Sequence, residues 1–90
     1  MELTTLVQDI HRLSHQLERF ERKYNIMSQT FYELYCAGQE PEDDAWVLDF
    51  AEWAGLYEIW RDRQKAYLET VDVLREKDPN LFSQIQPVAA

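Results

Sequence analysis

Residues 3–24 read LTTLVQDIHRLSHQLERFERKY, and their apolar spacing decides the fold. Leu3, Leu6, Ile10, Leu13, Leu17, Phe20 and Tyr24 follow one another at alternating intervals of three and four. That is the narrow seam of a helix packed along one side, continued for about three heptads. Thr4 or Thr5 is expected to cap its start, with Asp9 near the positive end of the helix dipole. Glu18 and Arg22 stand one turn apart as a favourable ion pair. Asn25, which tolerates the left-handed conformation, is expected to end the helix.

A similar seam recurs beyond residue 45. Trp46, Phe50, Trp53, Tyr57, Trp60, Gln64, Tyr67, Val71 and Leu74 again alternate four and three, with Gln64 the one polar insertion. The spacing predicts a long helix over about 45–76, capped by Asp43 or Asp44. Val47, Ala51, Ala54 and Gly55 lie beside this seam as small residues that another helix could approach, and Gly55 is a point for a bend. Between the two long helices a short one is expected over about 29–37. Ser28 would be its N-cap, Met27 and Tyr32 a hydrophobic staple, Thr30 with Glu33 an alternative capping box, and Gly38 the residue past its end. Asp78 and Pro79 read as cap and first residue of a last helical turn over 79–85, followed by a frayed tail over 87–90. Ninety residues with two glycines, three prolines and 46% hydrophobic content fit one all-α domain. The expected architecture is a long helical hairpin with a short intervening helix. A lone antiparallel pair buries only one face of each helix, and the second long helix is wider in its apolar content than the first can cover, so oligomerisation is expected to complete the bundle.

Charge is the second organising feature. No Lys or Arg occurs between Lys23 and Arg61, an interval that holds Glu33, Glu40, Glu42, Asp43, Asp44, Asp49, Glu52 and Glu58. The rest of the chain carries as many bases as acids, so the whole net charge of −8 belongs to residues 24–60. Nine of the twelve aromatic residues share that interval. Such a segment repels nucleic acid and anionic lipid and attracts a basic partner. Aromatic anchors inside an acidic rim are a typical protein-docking composition.

Catalytic signals are absent. There is no nucleophile elbow, phosphate-cradling glycine loop or paired-cysteine motif, and Cys36 has no basic residue near it in sequence to activate it. His11 and His15 stand one turn apart beside the seam. They would be half of a zinc site, but a solvated helix flank accounts for them better. Glu42, Asp43 and Asp44 lack the alternating order of a calcium loop. No enzyme activity, cofactor or metal is therefore expected. A single cysteine and no export signal at the N-terminus point to the cytoplasm, and no apolar run is long enough to span a membrane.

Within the acidic interval a pattern emerges. It runs Phe20-Glu21-Arg22-Lys23-Tyr24, Met27-Ser28, Phe31-Tyr32, Gly38, an acidic loop, and then residues 49–58, DFAEWAGLYE. This resembles small acidic antitoxin-like proteins of prokaryotes that are encoded beside a toxin, including partners of TumE-type toxins. The likeness covers roughly residues 20–60 and carries no catalytic signature. It implies neutralisation of a cognate, basic toxin by direct binding, without direct contact to nucleic acid. The partner-binding residues expected on this reading are Glu42, Asp43, Asp44, Trp46, Asp49, Phe50, Glu52, Trp53, Tyr57 and Trp60. The alternative is a self-assembling helical structural or regulatory adaptor, with both seams consumed in a homo-oligomer.

Overall fold

The computed structural model describes residues 2–85 and Pro87. Three α-helices follow one another: α1 (Leu3–Tyr24), α2 (Ser28–Cys36) and α3 (Val47–Lys77). A 3-10 turn, Asp44–Trp46, leads into α3, and another, Leu81–Gln84, follows it. No strand occurs among the described residues, so the fold is all-α. Pairs Asp9 with Arg63, Ser14 with Trp60 and Lys23 with Asp49 show that α1 and α3 run antiparallel. The molecule is long and thin, 51 × 31 × 18 Å.

The helix ends show what local chemistry decides. Asn25 takes the left-handed conformation (φ 55°) and closes α1, as its side chain predisposes it to do. Gly38 at φ 87° closes α2: its N–H donates to the Tyr35 carbonyl, and the Gln39 N–H donates to that of Leu34. Those two bonds form a Schellman motif and satisfy carbonyls that the helix leaves open. The Asp43 carboxylate accepts from the Ala45 N–H, so the expected acidic cap is present, but it starts the 3-10 turn rather than α3 itself. At the far end Asp78 ends α3 and accepts from the Asn80 N–H, and Asn80 in turn caps the last turn through the Phe82 N–H. That turn therefore begins two residues later than Pro79. α1 begins after Glu2 without a side-chain cap from Thr4 or Thr5. α3 is continuous through Gly55. Of the expected tail, only Pro87 lies within the described residues.

The core is concentrated where α2 crosses the hairpin. Leu17 of α1, Phe31 of α2, and Trp53 and Ala54 of α3 are buried together, with Phe20, Tyr24, Ile26, Tyr32, Phe50, Leu56, Tyr57 and Trp60 packed around them. Trp53 is fully buried. Phe31 lies parallel to its ring at 3.8 Å, Phe20 and Tyr24 stack offset at 5.6 and 5.8 Å, and Phe50 meets it edge-on at 6.2 Å. Away from α2, Leu6 and Leu13 are the buried hydrophobic residues among those described.

A buried indole needs an acceptor, and Ser28 provides it. Trp53 Nε1–H donates to Ser28 Oγ at 2.9 Å. The same hydroxyl donates to Glu21 Oε2 at 2.7 Å, and the Ser28 backbone N–H donates to that oxygen at 3.0 Å. Ser28 is therefore not the N-cap of α2. It is the first helical residue, the N-cap is Met27, and the capping carboxylate comes from α1. Met27 is exposed and forms no staple with Tyr32, whose ring instead meets Tyr57. The pattern repeats seven residues along α3, where Trp60 Nε1–H donates to Ser14 Oγ at 3.1 Å.

Ser28→Ala leaves the Trp53 N–H buried without its acceptor and is expected to cost about 1–3 kcal/mol of stability. Trp53→Ala removes the centre of the stack and is expected to cost about 3–5 kcal/mol. Urea titration followed by circular dichroism measures both. A double-mutant cycle of Ser28→Ala with Trp53→Phe should give a coupling above about 0.5 kcal/mol, and strict additivity would show that the hydrogen bond contributes nothing.

Candidate interaction surface

The closed end of the hairpin gathers the acidic interval, but it sorts the expected contact residues into two groups. Trp53 is in the core. Phe50, Tyr57, Trp60 and Trp46 are half-buried along the same inner face. Trp46 meets Tyr24 edge-on at 5.7 Å, and Phe50 meets Tyr24 and Phe31 at 5.3 and 5.0 Å. These rings are spent on the fold. Glu42, Asp43, Asp44 and Glu52 are exposed, as are Glu33, Glu40 and Glu58.

Asp49 joins the first group, against expectation. Its Oδ2 accepts from Lys23 Nζ and from the Tyr24 hydroxyl, both at 2.6 Å, and its side chain is mostly covered. The Lys23 bond, with that of Tyr24 behind it, holds the Asp49 carboxyl below its ordinary range. The Asp49 carboxylate raises Lys23 above its own. Burial, reinforced by the hydrogen bond to Asp49, raises Tyr24. The consequence for the surface is direct: Lys23, one of the two bases that bound the acidic interval, is already occupied by one of its acids.

A second polar cluster ties α2 to α3. The Tyr32 hydroxyl donates to Glu58 Oε1 at 2.8 Å, and this bond, followed by the neighbouring Cys36, raises the phenol well above its ordinary value. Arg61 lies over the Tyr32 and Tyr57 rings at 5.6 and 5.9 Å, a favourable cation–π geometry. Glu58 is thus anchored at the surface rather than swinging free.

What the loop offers outward is therefore Glu40, Glu42, Asp43 and Asp44, flanked in the chain by Leu34 and Tyr35 on one side and Val47 and Leu48 on the other. These four apolar residues are all exposed, Leu48 at 82%. Leu48 was not among the expected contacts, because it lies outside the aromatic seam. Its position one residue beyond Val47, off the four-three spacing, is the signal that marks it as outward-facing. The small residues beside the seam do not form one patch. Ala54 is buried against the core, whereas Ala51 is exposed and a Cβ at Gly55 would meet nothing within 4 Å.

At the open end, Leu3, Val7, Val71, Leu74, Phe82 and Ile85 line an apolar groove of about 600 Å³. His11 and His15 are exposed, and His11 reaches the edge of this groove. Among the described residues no three His, Cys, Asp or Glu side chains converge as a metal site would require. No helix among them is long and apolar enough to cross a membrane. No protein-family model, curated protein or solved structure matches the chain.

The Asp49 cluster gives stability a pH dependence of known sign. A depressed carboxyl contributes fully above the unfolded range near pH ~4 and loses its contribution as pH falls through the folded value. Raised Lys23 and Tyr24 contribute fully below about pH 10 and lose it as pH rises through their folded values. Urea midpoints of the wild type should therefore fall off on both sides of a neutral plateau. Asp49→Asn should flatten both limbs, and superimposable profiles for the two proteins would show the cluster to be energetically silent.

Proposed function

We propose that this protein is an antitoxin-type inhibitor that docks on a basic partner protein through its acidic closed end. One observation carries this reading. The acids of residues 40–44 and Glu52 face solvent with exposed Leu48 and Tyr35 beside them, while Trp46, Phe50, Trp53, Tyr57 and Trp60 of the same interval are turned to the inner face. The loop that carries residues 40–43 is short and is tied at both ends, to α2 through Gln39 and to the following turn through Asp43, which limits the ordering cost of binding. Its field draws in a cationic surface and orients it, and the exposed Leu48 offers an apolar contact at the centre. Toxins that act on RNA present basic clefts, which is the chemistry such a surface fits. The resemblance over residues 20–60 supports the same reading. On it the protein works in the cytoplasm, as a protein-binding module rather than an enzyme, and without touching nucleic acid itself.

A second reading, a self-assembling helical adaptor, is favoured by a different observation: apolar side chains left on the solvent side of α3.

The first reading is tested with the product of the neighbouring gene, co-expressed and purified with this chain. Binding should be salt-sensitive, and neutralising Glu42, Asp43 and Asp44 together (Glu42→Gln, Asp43→Asn, Asp44→Asn) should weaken it about tenfold or more. Asp49→Asn should act mainly on stability. A triple variant that binds and protects growth as the wild type does would remove the acidic end from the account.

A further inference from the structure

α3 carries two apolar stripes, and only one of them is used within the chain. The inner stripe packs on α1 and α2. On the opposite side Leu48, Gly55, Ile59, Ala66 and Val73 recur close to multiples of the helical period. Leu48 and Val73, at its two ends, and Ile59, near its middle, are exposed at 82%, 49% and 45%. The stripe also has a symmetry. With Asp62 included, the spacings are seven, four, three, four and seven residues, and they read the same from either end. A two-fold contact between identical surfaces requires that self-complementarity.

We infer that the outer face of α3 pairs antiparallel with α3 of a second copy, placing Leu48 against Val73, Gly55 against Ala66, and Ile59 beside Asp62. Charge selects this orientation. Residues 47–60 carry Asp49, Glu52 and Glu58 with no base, whereas residues 61–77 carry five bases against four acids. Antiparallel pairing sets the base-free half on the half that carries Lys65, Arg75 and Lys77, Arg61 and Arg63 being turned to Tyr32, Tyr57 and Asp9 within the chain. Parallel pairing would set the acidic halves together. Antiparallel helix dipoles add to the same preference. Asp62 is the one charge in the stripe and fixes register, as single polar residues do in helical seams.

Two further observations agree. Gly55 lies within a helix that is continuous through it, and beyond that helix's own backbone nothing comes within 4 Å of where its Cβ would stand. Its smallness answers to something outside the chain, and a second helix facing it with Ala66 is such a neighbour. The chain also exposes 7089 Å². That exceeds by about 1,500 Å² the roughly 5,500 Å² of a compact monomer of its mass. A standard interface covers about 800 Å² on each partner.

This inference shares only Leu48 with the basic-partner reading, and the purified chain alone tests it. Sedimentation at micromolar concentration should give twice the 10.8 kDa chain mass. Ile59→Glu and Gly55→Leu, each checked for unchanged helicity, should raise the dissociation constant at least about a hundredfold. Register is read by cross-linking in a Cys36→Ser background. Gly55→Cys combined with Ala66→Cys should link two chains, and Gly55→Cys alone should not. A monomeric wild type, an assembly indifferent to Ile59→Glu, or ready linking through Gly55→Cys alone would each overturn the proposal.

Discussion

The hydrogen bond from the Trp53 indole to Ser28, passed on to Glu21, is the constraint on which the arrangement depends. It joins one residue from each helix at the point of deepest burial. Each member satisfies a need of another. The indole cannot be buried without an acceptor, the hydroxyl has one donor and free lone pairs, and the carboxylate is an acceptor close to a helix start. α2 has nine residues, too few to be helical alone. It holds because its first turn is capped from α1 and its Phe31 is stacked on Trp53. Where α2 sits then determines where Gly38 turns the chain, and so where the acidic loop emerges.

Much of this was legible from spacing and local chemistry. The seam of α1 and the left-handed Asn25 set the bounds of that helix, and Gly38 set the end of α2, because those signals act within a few residues. Ser28 was readable as a cap and turned out to serve the core. A serine before a helix looks the same in both roles, and the difference is made by Trp53, twenty-five residues away. Asp49 was legible as a charge but not as a paired one, since its partners Lys23 and Tyr24 come from another helix. Ala54 and Gly55 stand side by side in sequence, yet the helical twist of ~100° between them sends one to the core and the other outward. The last turn moved because Asn80 competes with Asp78 as its cap, and short polar side chains so close together do not announce which prevails.

The division between aromatic and acid is the main functional consequence. Composition alone suggests a mixed surface in which rings anchor and carboxylates steer. The fold instead turns most of the rings inward, pairs Asp49 with Lys23 and Tyr24, and leaves the remaining carboxylates outside with a few apolar residues, Tyr35 the one ring among them. Such a surface relies on charge and shape more than on aromatic hot spots. Association with it should be fast and sensitive to ionic strength. The two stripes of α3 add a further separation of roles: the inner one builds the monomer, and the outer one is available to a second helix.

The central claim is that α2, held by the Ser28 junction, belongs to the most stable part of the molecule and fixes the loop beside it. Amide hydrogen exchange of the free protein, followed by mass spectrometry, addresses this directly. The account predicts that peptides from α2 and from α3 around Trp53 are protected to the same degree and open together, while residues 39–44 exchange at once. Rapid exchange throughout α2, with α1 and α3 still protected, would contradict it.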